Sequence, residues 1–375
     1  MFSYWEQKNF FNYDLIVVGA GFTGFSTAIH FKEKFPKAGV LILERGLFPT
    51  GASTKNAGFA CFGSLTEILD DLWHMTQSEV LALVEKRYRG LTQIRKVFGD
   101  KSLRYVPSGG FELIQKDQLE ALDQLEHMNA LLSSIFEKKV FSLVKQPEML
   151  GFSEGVKAIV KNRFEGELDP GAYLLSLWQK ASQLGIQLLT GSEVLEVEPN
   201  EGKVLVTTGF QKTLSELKAG KIAICTNAFT QKIWPKAELE PGRGLVLVSE
   251  QLGMEFPWKG TFHYDKGYVY FREVDGRLLL GGGRNQDFST EKTTEFEVNP
   301  KIRAYLTQIA DEIIFPFRKV VWEKEWTGIM AFGKKKVPIL EPIGSKTAVG
   351  VRLGGMGVAI GWEVGKDLSS ILSEL

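Results

Sequence analysis

Cysteine is nearly absent: the 375 residues contain two, Cys61 and Cys225, far apart and in no CxxC pattern. That excludes a disulfide framework and a cysteine-ligated zinc site. Histidine is scarce as well. The four present (His30, His74, His127 and His263) are not paired at metal-ligand spacing, so no structural metal is expected. Net charge is lacking too, because Lys+Arg and Asp+Glu both number 45. No global basic field exists to hold a polyanion, and nucleic acid is not an expected partner. The longest basic run, Lys334 to Lys336, is too short to alter that. No apolar run reaches membrane-spanning length. Met1 to Tyr13 has neither the basic start nor the apolar stretch of a signal peptide. A cytoplasmic protein without a membrane span is the expectation.

What is present is an ordinary globular balance, 44% hydrophobic and 24% charged, with ample material for a core. The length favours two domains, or one with a large insertion. Asp14 to Val18 is a short apolar run, as expected of a strand buried on both faces. A helix follows, stopped by Pro36 and Gly39, and Val40 to Glu44 forms a second buried strand. Two amphipathic stretches predict helices, one along Val80, Val84, Leu91, Ile94 and Phe98, the other from Leu119 to Ile135. Asp169-Pro170-Gly171 starts a helix running through Leu184. Strands are expected at Ile186 to Leu189, Glu193 to Glu198, Lys203 to Thr208 and Lys221 to Thr226. From Gly244 to Gly283 the texture turns antiparallel, with short strands at Val246 to Glu250, Tyr268 to Arg272 and Leu278 to Leu280. Ala348 to Val351, a glycine turn and a helix from about Val358 to Leu372 end the chain.

Gly19, Gly21 and Gly24 make a GxGxxG pattern between a strand and a helix, the context that such a fingerprint requires. Gly19 permits the tight turn. Gly21 lets the backbone approach a pyrophosphate, and Gly24 lets the helix pack close to the strand. The helix start, with Phe22 and Thr23, offers N–H groups and a positive dipole end to phosphate. Glu44 lies 20 residues beyond Gly24, where a carboxylate can accept ribose hydroxyls and disfavours a 2′-phosphate. The competing account is a plain glycine turn with a strand-end charge. This unit alone does not separate FAD from NAD.

Arg45-Gly46, the loop Gly51-Ala-Ser-Thr-Lys-Asn-Ala-Gly58, Leu168 to Gly171, Glu193 to Glu198, "AICTNAF" (Ala223 to Phe229), Pro241 to Gly244, "YVYFREVDGRLLLGGG" (Tyr268 to Gly283), "WTGIMAF" (Trp326 to Phe332) and Gly354-Gly-Met-Gly-Val358 carry a resemblance along nearly the whole chain. In order and spacing they resemble the D-amino-acid oxidase superfamily of FAD-dependent oxidoreductases, which includes glycine, sarcosine and γ-glutamylputrescine oxidases. The resemblance implies an α/β fold (α+β overall): a Rossmann-like FAD-binding domain with an inserted substrate domain built on a mixed or antiparallel sheet. Residues 1–85, 150–235 and 326–375 would form the discontinuous FAD-binding domain, and 86–149 and 236–325 the substrate domain.

The resemblance also implies oxidation of a C–N bond in a small amine or amino acid, by hydride transfer to FAD. An imine would result and be hydrolysed, with oxygen or a quinone-type acceptor taking the electrons. FAD contacts would come from Gly19, Gly21, Phe22, Thr23, Gly24, Glu44 and Arg45, from the loop Ser53, Thr54, Lys55, Asn56, Ala57 and Gly58, from Val194, Thr226, Asn227 and Gly328, and from Gly354, Gly355, Met356, Gly357 and Val358. The last helix start would stabilise an anionic reduced ring. Relatives with covalent flavin use a cysteine around Trp326 to Pro338. None occurs here, so non-covalent FAD is expected. Tyr268 and Tyr270, two apart on one strand face, and Arg352, suited to a substrate carboxylate, are the candidate catalytic residues, with Arg272 and Arg284 ranked below. Core packing of the tyrosines and a surface role for Arg352 are the competing accounts. A non-catalytic FAD-binding protein, a dehydrogenase using a quinone-type acceptor, and an NAD-dependent dehydrogenase are the alternative functions.

Overall fold

A computed structural model describes residues 2–208 and 214–375. The chain divides into two compact units, the first Met1–Thr54, Pro170–Pro241 and Ile329–Leu375, the second Lys55–Asp169 and Gly242–Gly328. These boundaries differ from those read in the sequence, which grouped 55–85, 150–169 and 326–328 with the first set and 236–241 with the second. The reason is packing. Ala158–Asn162 is a strand of the second unit's sheet, and Leu65–His74 is a helix in the core beside it.

In the first unit the strands run in the order Ile339–Pro342, Thr347–Val351, Leu214–Ile224, Asn12–Val18, Val40–Leu43, Gln187–Leu189. All neighbours are parallel except the Ile339–Pro342 edge. Leu15 to Val18 and Val40 to Leu43 are fully buried, as parallel strands covered on both faces require. An antiparallel hairpin, Ser192–Glu198 and Lys203–Thr208, pairs with the first half of Leu214–Ile224. Helices Phe22–Lys34, Pro170–Gln183 and Gly357–Glu374 belong to this unit. The first and last of them approach closely because Gly365 has no side chain. A Cβ there would lie 2.4 Å from Ser26 Cβ and 2.8 Å from the Thr23 carbonyl.

The second unit holds an eight-stranded sheet in the order Trp322–Phe332, Glu240–Ser249, Arg277–Gly282, Val269–Val274, Thr261–Tyr264, Gly110–Ile114, Ala158–Asn162, Phe141–Leu143. From Glu240–Ser249 onward the pairs are antiparallel, except that Thr261–Tyr264 and Gly110–Ile114 run parallel. One face is aromatic and buried. Phe111, Phe262 and Phe271 stack across adjacent strands at 4.9 and 5.0 Å between centroids, with helix Pro300–Ile309 in the same core. Each buried phenylalanine there contributes about 2–3 kcal/mol. The opposite face carries Ile114 and Val160 in a core with helices Leu65–His74, Gln77–Phe98 and Leu125–Leu132.

The Val80 to Phe98 periodicity is one helix, Gln77–Phe98. The Leu119 to Ile135 stretch is not. Its first half, Lys116–Gln124, is 3₁₀, and only Leu125–Leu132 is α-helical. Asp117 and Asp123 are poor helix formers, and the Asn129 side chain is turned to the Phe141 backbone through two hydrogen bonds. Helix Leu65–His74 was not foreseen. It is set by a capping box in which Glu67 returns to the Ser64 N–H.

Candidate functional site

In the first unit the glycine pattern folds as the motif requires. Gly19 takes φ +103°, and a Cβ on it would press 2.9 Å from the Cys225 carbonyl. A Cβ on Gly24 would sit 1.9 Å from the Gly19 carbonyl oxygen, so the helix is in contact with the turn through bare backbone. Gly21 is extended, and the Phe22 N–H behind it donates to Ser53 Oγ at 3.0 Å. Thr23 Oγ1 is buried in the first helical turn and has no hydrogen-bond partner among the described residues. Glu44 is buried, and its carboxylate accepts from the Ala20 N–H at 3.2 Å and the Gly46 N–H at 2.9 Å. The Arg45 guanidinium lies 3.8 Å over the Phe229 ring.

The terminal glycine turn reaches the same place. Gly354 and Gly355 have φ of +58° and +82°, Met356 is the N-cap of Gly357–Glu374, and Val358 is buried. One turn on, a Cβ on Gly361 would lie 3.2 Å from Phe22 Cβ and 3.5 Å from Thr23 Oγ1. Two glycine-rich helix starts, more than 330 residues apart in sequence, are thus side by side. Thr226 borders Gly19, while Asn227 Oδ1 accepts the Arg352 N–H at 3.0 Å. Val194 packs against the core and pairs with Val206, and Thr54 closes a turn on the Gly51 carbonyl.

In the second unit, Lys55 to Gly58 is held from several sides. The Trp326 indole N–H donates to the Lys55 carbonyl at 3.0 Å, and Gly328 lets the Lys55 backbone approach. Asn56 Oδ1 accepts the Gly58 N–H, and the Gly58 carbonyl accepts the Leu168 N–H. Ala57 packs with Val246, Val248 and Leu279, against which Tyr270 also rests.

The candidate catalytic residues have distinct settings. Tyr270 lies on the sheet face opposite the Phe111–Phe262–Phe271 stack, with its ring over Gly281 and edge-on to Phe59; burial pushes its hydroxyl up to about 12. Tyr268 precedes strand Val269–Val274, is 39% exposed and touches the Phe288 ring. Arg352 is buried rather than on the surface. Its Nε and Nη2 donate to the Val337 carbonyl and its Nη1 to the Glu238 carbonyl, at 2.8–3.1 Å. Burial lowers its pKa from the usual arginine value. Arg272 pairs with Glu167 at 3.4 Å and donates to the Leu168 carbonyl, and Arg284 lies over Phe288.

A group of buried ionisable side chains with no signature in the sequence lies on the Tyr270 face. Glu112, His263 and Tyr270 stand directly opposite one another on three adjacent strands. Glu112 accepts from Ser64 Oγ, the Thr66 N–H and Thr66 Oγ1, yet burial pushes its pKa up to about 7. Glu165 accepts the Phe62 and Gly63 N–H groups through one oxygen, and burial pushes it up to about 8. Arg87 donates to the Phe62 carbonyl. A lone polar residue every second position in a strand gives no signal of its own, because the neighbours that bury it come from distant segments. The Ser64-x-x-Glu67 capping box was the one local cue.

The family model described as FAD dependent oxidoreductase (DAO) matches residues 14–371. The chain belongs to that family. As a member of it, the chain is an FAD-dependent oxidoreductase, and the α/β architecture with its mixed second sheet agrees with the family's fold. Relatives include the probable oxidoreductase OrdL of Haemophilus influenzae, 25% identical over 304 residues that span 74% of this chain and 66% of OrdL. Sarcosine oxidase subunit beta of Rhodobacter capsulatus is 24% identical over 94% of this chain and 81% of its own length. Among solved structures, glycine oxidase from Geobacillus kaustophilus superposes with a TM-score of 0.77 at 18% identity, covering 97% of this chain and 95% of the other. Among the described residues no helix is long and apolar enough to cross a membrane, and no His, Cys, Asp and Glu are grouped to hold a metal ion.

The residues present fit FAD. Gly19, Gly21 and Gly24 keep side chains out of the turn, Thr23 offers a buried hydroxyl that has no partner among the described residues beside a helix start, and Glu44 stands at the strand end.

Proposed function

We propose that this FAD-dependent oxidoreductase oxidises the C–N bond of a primary or secondary amine or of an amino acid. The observation that carries the reading is the meeting, in one unit, of the Phe22 and Gly357 helix starts at unsubstituted backbone. Two adjacent positive helix ends suit a bound dianion and the charge that a reduced flavin carries. FAD, when bound, supplies the hydride acceptor.

In this reading Gly19 to Gly24 hold the pyrophosphate, and Glu44 with Arg45 holds the adenosine side. Within the first unit Ser53, Thr54 and Gly354 to Val358 contact the ring, while Val194, Thr226 and Asn227 complete the cofactor's surroundings. Tyr268 and Tyr270 position the substrate. Arg352 was expected to take a substrate carboxylate. Its guanidinium is already bonded to two main-chain carbonyls, and we assign it to shaping the turn that leads into Gly354. The cofactor is held without a covalent bond, since the Trp326 to Pro338 segment has no cysteine. Oxygen or a quinone-type compound takes the electrons, and peroxide yield measured against dye reduction tells which.

The purified protein is expected to be yellow, to release its flavin in acid, and to bleach anaerobically with a member of an amine and amino-acid panel. A colourless protein that FAD does not reconstitute, or bound FAD that dithionite reduces and no panel member does, would overturn the proposal.

A further inference from the structure

His263 is 4% exposed, yet neither ring nitrogen has a hydrogen-bond partner among the described protein residues. Buried polar groups are nearly always bonded, and an orphaned imidazole asks for a reason. Its nearest charge is Glu67, with Oε2 3.6 Å from Nδ1. Glu67 does not wander. It accepts the Ser64 N–H at 2.9 Å as part of the capping box, and Gly267 in the turn after the His263 strand backs onto its carboxyl group.

The surroundings decide what His263 can do. Glu112 stands opposite on one side, fully engaged by Ser64 and Thr66, and Tyr270 stands opposite on the other. Glu165 is tied to the Phe62 and Gly63 backbone, Arg87 to the Phe62 carbonyl, and Cys61 is a buried thiol whose pKa burial raises. None of these donates to the imidazole. Burial holds His263 below its usual pKa, with Glu67 pulling the other way, so the resting ring is a neutral acceptor. The Phe59 ring meets both His263 and Tyr270 edge-on, at 5.3 and 5.7 Å, and Phe59 directly follows the loop ending at Gly58.

We propose that the Glu67–His263 pair is the acceptor of the proton that an ammonium-form substrate must lose before its C–H bond can be broken. The inference rests on the amine-oxidation reading. An ammonium nitrogen has no lone pair to stabilise the carbon that gives up hydride. Transfer of one N–H proton to His263 Nε2 yields the neutral amine and an imidazolium, and the Glu67 carboxylate stabilises that cation in place. No electrons move in this step. The proton leaves to solvent after the product does. The substrate class is therefore an amine that arrives protonated at neutral pH.

The test is anaerobic stopped-flow reduction of the holoenzyme's flavin by its best amine from pH 6 to 10, in wild type, His263→Gln and Glu67→Gln. Wild type is expected to stay fast to below neutrality. His263→Gln should be slower by about 100-fold or more at pH 7, yet within about threefold of wild type at pH 10, where the free amine arrives neutral. Glu67→Gln should move the wild-type profile to higher pH. A loss that is equal at every pH in both variants, with FAD content unchanged, would overturn the proposal. A second readout needs no turnover. The His263 imidazole NMR signal, identified by its disappearance in His263→Gln, should titrate, and Glu67→Gln should shift its midpoint downward by about tenfold in proton concentration. A midpoint unmoved by Glu67→Gln sinks the pair even if flavin reduction proceeds. Failure of every amine to bleach the flavin removes the function reading and leaves the titration to decide on the pair.

Discussion

The two sheets of this protein carry their chemistry in opposite ways. In the first, the features of interest lie at strand ends and are made of backbone: bare turns, helix starts, and glycines where a side chain would collide. In the second they lie mid-strand and are made of side chains, on the face of the sheet opposite the Phe111–Phe262–Phe271 stack. A backbone site demands one residue type at a fixed position. A side-chain face demands only that several distant strands align. The first arrangement tolerates almost no substitution, while the second is tuned by charge.

The sharpest way to break the contrast is at Gly24. Gly24→Val would force atoms into the Gly19 carbonyl, and the cost should be about 3 kcal/mol or more. FAD retained per protein after gel filtration should fall below a tenth of the wild-type ratio, with a lower Tm. Wild-type flavin content in that variant would mean that the turn is not tight.

A smaller effect is expected in the second unit, and it depends on pH. Glu165 has its folded-state pKa raised from 4.5 to about 8. Between those values the native state keeps a proton that the unfolded chain has lost, so the stabilisation present below pH 4.5 fades as pH rises to 8. The slope is at most about 1.4 kcal/mol per pH unit for one group. Glu165→Gln keeps an acceptor for the two N–H groups and cannot ionise. Its urea midpoint should therefore fall less than that of wild type between pH 5 and 8. Parallel declines would show that Glu165 is not protonated in the fold.

The smallest effect belongs to Tyr270→Phe. The ring packing on Phe59 and Gly281 survives, so stability should change by less than about 1 kcal/mol. If Tyr270 positions substrate through its hydroxyl, KM should rise several-fold with kcat little altered; an unchanged KM would make it a packing residue only.

The same contrast explains what the sequence disclosed. Gly19, Gly21, Gly24 and Glu44 were legible because each glycine answers a separate steric demand at a fixed spacing. The continuous burial of Leu15 to Val18 and Val40 to Leu43 was legible as unbroken apolar runs. The Glu67, Glu112, Glu165 and His263 group was not. Glu112 and His263 are 151 residues apart, and no local pattern says that their strands lie side by side. In the sequence Arg352 reads as a charge for substrate or for solvent. Its partners, the Glu238 and Val337 carbonyls, are main-chain atoms that have no signature in composition. The broken helix after Lys116 was missed because apolar spacing alone does not separate 3₁₀ from α over so short a stretch.

The close crossing at Gly365 also sets an order of events during synthesis. Strand Leu214–Ile224 lies between Asn12–Val18 and Thr347–Val351, and the final helix rests on the helix that follows the first strand. The first unit therefore waits for residues near 370 to leave the ribosome. The second unit's sheet lacks only its Trp322–Phe332 edge once residue 282 has emerged, so most of its pairing can form while the early glycine turn is still without the helix that covers it.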